Sequence, residues 1–103
     1  MTPSAVAEAL SDASVALTVV DVRENWERDI AAVAGSLNIP LGELPARLAE
    51  LPENETLALL CHSGVRSTHA MQFLNANGFT DVYNITGGID RWSVDVDSQI
   101  ARY

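Results

Sequence analysis

The sequence predicts an α/β domain built on a parallel sheet. Two continuous apolar runs, "ALTVVDV" (residues 16–22) and "ETLALLC" (55–61), have the pattern of strands buried on both faces. Segments with helical spacing lie between and after them, so strands alternate with helices. The 103 residues suffice for one modest core. No repeat, low-complexity segment or linker divides them, and a single domain over 1–103 is expected.

The elements follow in order. Thr2 and Pro3 form an N-cap and first-turn pair, with Val6 and Leu10 on one face of a short first helix. The first buried strand follows, and "ENWERDI" is read as a short helix. "SLNIP" is a short strand stopped by Pro40. Leu44, Leu48 and Leu51 recur at helical spacing, with Pro45 near the start and Pro52 just beyond, which predicts a helix. After the second buried strand, Ser67–Asn77 is read as a helix with Ala70, Met71, Phe73, Leu74 and Ala76 facing inward, closed by Asn77-Gly78. "DVYNI" is a further strand, "TGG" a turn, and "IDRW" the start of a last short helix. The tail "DVDSQIARY" is expected on the surface, tied down by Ile100 or Tyr103.

Composition narrows the function. Apolar residues make up 48% of the chain, which fits a packed domain and not disorder. Its apolar runs are too short to span a membrane. The first residues have neither a basic region nor a long apolar one, so the expected location is the cytoplasm. A single cysteine forms no internal disulfide, which agrees with a reducing compartment. The net charge is −8, and all six basic residues are arginines. That balance argues against nucleic acid or anionic membrane as partner. An anionic substrate would need local positive potential, for which Arg23 and Arg66 are the candidates.

The chemistry concentrates in "LLCHSGVRST". In α/β sheets ligands sit outside the carboxyl ends of the strands, and Cys61 falls at that edge. The amides at a helix start lack intrahelical partners and carry partial positive charge. A loop curled over them gathers N–H donors around one point, a cradle for an anion. Cys61 stands at one lip and Arg66 at the other, with Gly64 allowing the tight turn. A helix N-terminus and a nearby arginine favour a thiolate, and so a nucleophile without a dedicated base. A lone cysteine ending a buried strand is more often an inert small hydrophobe. Ser63, Gly64, Arg66 and Ser67, leading into an amphipathic helix, turn the balance towards chemistry.

These residues resemble the rhodanese family of sulfurtransferases. "VVDVRENWE" is similar to the family's first block, "AGSLNIP" to its second, "LLCHSGVRS" to its active-site loop, and "GFTDVYNITGGIDRW" to its closing block. The resemblance implies a rhodanese-like fold, with a five-stranded, mainly parallel sheet flanked by helices on both faces. It places Cys61 at the catalytic position. It implies transfer of sulfane sulfur from a donor such as thiosulfate or a persulfide, through a Cys61 persulfide, to a thiol or cyanide. His62, Ser63, Gly64, Val65, Arg66 and Ser67 would form the substrate-binding loop. Asp21 would brace the region, and Arg23 would pair with an acidic residue nearby. Ala31, Ala32, Val33 and Ala34 stand where the family usually has a Gly-His-Ile-Pro-like run.

Several roles stay open at this level. Arg66 either grips the sulfonate end of a donor or braces the loop. For Arg23 the plain ion pair at a strand end is the favoured reading. The backbone N–H of His62 matters more than its imidazole, and His69 is read as a surface or capping residue. Ser67 either adds a donor or is an ordinary helix residue. Trp26 and Trp92 are read as core or rim residues, and Gly87-Gly88 as a tight turn. One cysteine and two histidines at this spacing make no closed metal site, and no cofactor is expected. The loop from Cys61 to Arg66 is one residue shorter than the Cys-x5-Arg ring of related phosphatases, which makes phosphatase or arsenate-reductase chemistry a weaker alternative. The other alternative is a sulfur-carrier or regulatory module that docks a protein partner.

Overall fold

The computed structural model describes residues 1–103, and no helix in it is long and apolar enough to cross a membrane. The elements run α1 (Pro3–Leu10), β1 (Leu17–Asp21), α2 (Asn25–Ile30), β2 (Leu37–Asn38), a 3₁₀ helix (Leu41–Glu50), β3 (Thr56–Leu60), α3 (Val65–Ala76), β4 (Val82–Asn84) and α4 (Gly88–Asp95). The strands form one parallel sheet in the order β2-β1-β3-β4. β1 and β3 are central, and Leu17 to Asp21 pair in register with Thr56 to Leu60.

The two apolar runs are buried on both faces, as their composition requires. Leu57, Leu59 and Cys61 on β3 and the loop after it pack with Val20 and Val22 of β1 against Ala70 and Leu74 of α3 and Leu44 of the 3₁₀ helix. Ala58 and Leu60 point the other way, with Val19, onto Val6 of α1 and Ile89 and Trp92 of α4. The alternation of side chains along each strand makes these two cores out of one run.

Four strands are present, not the five that the resemblance implied. Beside β4, the Met1 amino group donates to Asn84 O at 2.8 Å, and Thr86 N–H donates to Met1 O at 2.8 Å. This is the start of a further parallel pairing. It goes no further because Pro3 has no N–H and opens α1 instead, behind a Thr2 cap. The leucines expected on a helix fall on a 3₁₀ helix broken at Arg47, where φ is −121°, with Leu51 as its C-cap. Pro45 inside it removes the N–H that an α-helical ladder would use. Leu44 and Leu51 are nonetheless buried, so the spacing found the right face. Ala76, expected inward, is exposed, as is Leu10, which the spacing put on the face of Val6. α3 begins at Val65, two residues earlier than its pattern suggested.

Candidate functional site

The site lies at the carboxyl end of the sheet, where β3 runs into α3. Cys61 is 1% exposed. Its Sγ accepts the Gly64 N–H at 3.0 Å and lies 3.3 Å from Ser67 Oγ. Gly64 caps α3 with φ of +109°, a backbone conformation that L side chains rarely adopt. Its carbonyl then receives Thr68 N–H at 3.2 Å and Thr68 Oγ1 at 2.7 Å, which fixes the first helical turn. Because α3 starts at Val65, Val65, Arg66 and Ser67 belong to that turn, and only His62, Ser63 and Gly64 form the loop proper.

α4 shapes this loop from behind. Its first amides, Ile89 N–H and Asp90 N–H, donate to Cys61 O at 2.8 Å and His62 O at 3.1 Å. In a trans peptide the N–H points opposite the C=O. Holding these two carbonyls towards α4 therefore turns the His62 and Ser63 amides to the other side. The amides of His62, Ser63, Val65, Arg66 and Ser67 have no acceptor in the protein. Five donors without partners, beside a buried sulfur, are suited to holding an anion.

Ser67 is buried, and its hydroxyl lies against three groups: Cys61 Sγ, Gly64 O and Asn84 Oδ1 at the end of β4. A hydroxyl has one proton to give. It serves the sulfur only when its proton is not spent on Asn84 or Gly64.

The two candidate cations are both committed elsewhere. Arg23 is wholly buried, and all five of its N–H donors are used. It donates to Asp21 Oδ1 at 2.9 Å and Oδ2 at 2.6 Å, to Ala31 O at 2.7 Å, to Glu27 O at 3.3 Å and to Tyr103 Oη at 3.0 Å. Burial works against its charge, but Asp21 and Tyr103 outweigh it, and its pKa is raised. Arg66 reaches back to α2, where Nη1 and Nη2 donate to the two Glu27 oxygens at 2.5 and 2.7 Å. Hydrogen bonds from Arg66 hold the buried Glu27 carboxyl down at about 2 against the opposing effect of burial, with help from Tyr103 and the Glu24 amide.

Sequence reading missed Glu27, and it named Tyr103 only as a tie for the tail. Tyr103 donates to Glu27 Oε2 at 2.7 Å, and its ring stacks on His62 with centroids 4.2 Å apart. The tail is thus fastened to the site: Ser93 Oγ donates to Ile100 O at 2.6 Å, and Arg102 pairs with Asp90 at 2.8 Å. Gly88 was read only as part of a turn, yet a Cβ there would stand 2.3 Å from Cys61 O and 2.5 Å from His62 O. Nothing local in the sequence signals these three contacts. His69 and Trp26 are exposed, Trp92 is buried, and the alanine-rich 31–34 segment leaves α2 in extended form with Ala31 O bound to Arg23.

Comparison with known proteins decides the family. The rhodanese-like domain model matches residues 2–95. The chain belongs to the rhodanese-like family. It is 39% identical over 82 residues to YrkF of Bacillus subtilis, described as a candidate sulfur carrier protein, and covers 80% of this chain but only 44% of YrkF. It is 32% identical over 75 residues to a protein of Allochromatium vinosum named as a sulfurtransferase, covering 73% of this chain and 70% of that one. A crystal structure of a rhodanese-related protein from Thermoplasma volcanium superposes with a TM-score of 0.84 at 31% identity, over 93% of this chain and 91% of that one. The rhodanese-like α/β fold is therefore the fold of this chain, in a four-stranded form.

Proposed function

We propose that this protein is a sulfurtransferase in which Cys61 carries sulfane sulfur as a persulfide. The observation that carries this reading is the Cys61 sulfur set against five amides without acceptors, His62, Ser63, Val65, Arg66 and Ser67. In the first step the Cys61 thiolate attacks the outer sulfur of a donor. With thiosulfate the S–S bond breaks and sulfite leaves with the electron pair. With a persulfide the leaving group is a thiolate. In the second step cyanide or a thiol attacks the outer sulfur of the Cys61 persulfide, and the pair from the broken bond returns to Cys61. Sulfur rests on Cys61 between the two halves, so ping-pong kinetics follow, and the same cradle stabilises the anion in each half. Gly64 N–H supports the Cys61 sulfur. Asp21, Arg23 and Arg66 act as braces of the site.

Intact mass after incubation with thiosulfate, and separately with a low-molecular-weight persulfide, tests this. A gain of one sulfur, about 32 mass units, reversed by cyanide and absent in Cys61→Ser, is expected. Sulfinic acid has nearly the same added mass but does not revert. Absence of any cyanide-reversible gain with either donor overturns the reading.

A second form of the reading, sulfur delivery to or from a protein, is favoured by one observation. All six arginines are ion-paired: Arg23 and Arg28 with Asp21, Arg47 with Glu43 and Glu50, Arg66 with Glu27, Arg91 with Asp95, and Arg102 with Asp90. No uncommitted cation stands ready for a small dianion, so a persulfide is the better donor than thiosulfate.

A further inference from the structure

Resting on the sulfur-transfer reading, we infer that an aromatic row from α2 to the Cys61 loop is the docking face for a basic, cysteine-bearing protein segment that exchanges sulfur with Cys61. The row is continuous. Trp26 meets Tyr103 edge-on with ring centroids 6.5 Å apart, and Tyr103 stacks flat on His62, the residue after Cys61. Trp26 is 61% exposed. Ile30 is 47% exposed and lies one turn along the same helix face. An exposed tryptophan next to an exposed isoleucine is characteristic of a contact face.

Charge decides the kind of partner. Asp29, at the i+3 position from Trp26, shares its face, and Glu24 precedes α2. Both are exposed, and neither is ion-paired. Arg23, Arg28 and Arg66 meet only Asp21 and Glu27, and Glu24 and Asp29 outweigh the one positive charge left, so carboxylates set the field here as they do across a chain with net charge −8. Such a field repels small anions and draws in a basic segment. Cys61 is 1% exposed, so a partner thiol has to reach the mouth of the cradle to attack the outer sulfur.

The transfer balances without an oxidant. The partner's thiolate attacks the outer sulfur of the Cys61 persulfide, the S–S bond breaks, and its electron pair returns to Cys61. The partner leaves as the persulfide. The reverse reaction loads Cys61 from a partner persulfide.

The test uses the persulfide-loaded protein and two synthetic peptides, each with one central cysteine, flanked by arginines in one and by glutamates in the other. Each peptide's intrinsic thiol reactivity is first measured with a small aromatic disulfide and divided out. Discharge to cyanide is measured in parallel. The corrected rate for the basic peptide should exceed that for the acidic one by about tenfold or more, and should fall several-fold between low and physiological salt. Trp26→Ala should lower the ratio of basic-peptide to cyanide discharge about tenfold, Trp26→Phe should restore most of it, and Asp29→Asn should flatten the salt dependence. Equal corrected rates for the two peptides, or a ratio unmoved by Trp26→Ala, overturns the docking face while cyanide discharge leaves the sulfur-transfer reading standing. No discharge to cyanide in the unaltered protein overturns both.

Discussion

Gly88 lies so close to Cys61 that a Cβ on it would stand 2.3 Å from the Cys61 carbonyl oxygen, and its φ is +61°. The close approach lets the next two amides of α4 grip the carbonyls of Cys61 and His62. Gly88→Ala has two costs. The left-handed backbone alone costs about 1–2 kcal/mol, and the contact forces the turn away from the loop. A fall of about 10 °C in Tm is expected, with persulfide loading slowed more than tenfold because the loop amides lose their alignment. Thermal unfolding and timed intact mass check both, and an unchanged loading rate would show that the α4 contact does not shape the cradle.

Glu27 gives the site a pH dependence. Its carboxyl is held at about 2 in the folded protein against an ordinary value of 4.5. A depressed carboxyl stabilises the fold fully above its unfolded value and loses that contribution as pH falls towards the folded one. The window is therefore about pH 4.5 down to 2, and the amount is about 3 kcal/mol for this buried group. Denaturant unfolding across that range should show the loss in the natural protein, and Glu27→Gln should show much less of it.

Arg66 should act chiefly through Glu27. Removing it leaves a buried carboxylate supported by Tyr103 and the Glu24 amide alone. Arg66→Ala should therefore destabilise by about 2–4 kcal/mol, less than for a fully buried pair because the guanidinium is partly exposed. Arg66→Ala together with Glu27→Gln should recover much of the loss, since no buried charge is then left alone. A double-mutant cycle in urea measures this. Additive effects would mean that the two side chains are not coupled.

Tyr103→Phe keeps the ring against His62 and removes the hydroxyl that links Arg23 to Glu27. Arg23 loses one of its five acceptors and Glu27 one of its donors. A cost of about 1–3 kcal/mol is expected, with Tm lowered by roughly 4 °C or more. Tyr103→Ala should cost more, and the difference between the two variants measures the stack.

The loop from Cys61 to Ser67 was legible because its parts are neighbours in the chain. A buried run ending in cysteine, a glycine and a helix start are local patterns, and local sterics and helix-end donors convert them directly into a cradle. The two central strands were legible for the same reason, since burial on both faces demands unbroken apolar runs. Leu44 and Leu51 were placed on the core by their spacing even though the helix that bears the first and ends at the second is 3₁₀.

What Arg66 does could not be read in this way. Gripping a donor and bracing the loop are both natural to an arginine after a glycine turn. Glu27, 39 residues earlier, takes both ends of the guanidinium, and no local pattern announces it. Tyr103 meets Glu27 across 76 residues, and Gly88 meets Cys61 only because α4 folds back over the sheet edge. The sequence by itself determined the sheet's buried strands, the order of its elements and the composition of the cysteine loop, because these depend on periodicity and on bonds between near neighbours. The tertiary structure alone decided which charges are spent and which donors stay free. Those depend on distances between segments that carry no mark of one another until the chain has closed.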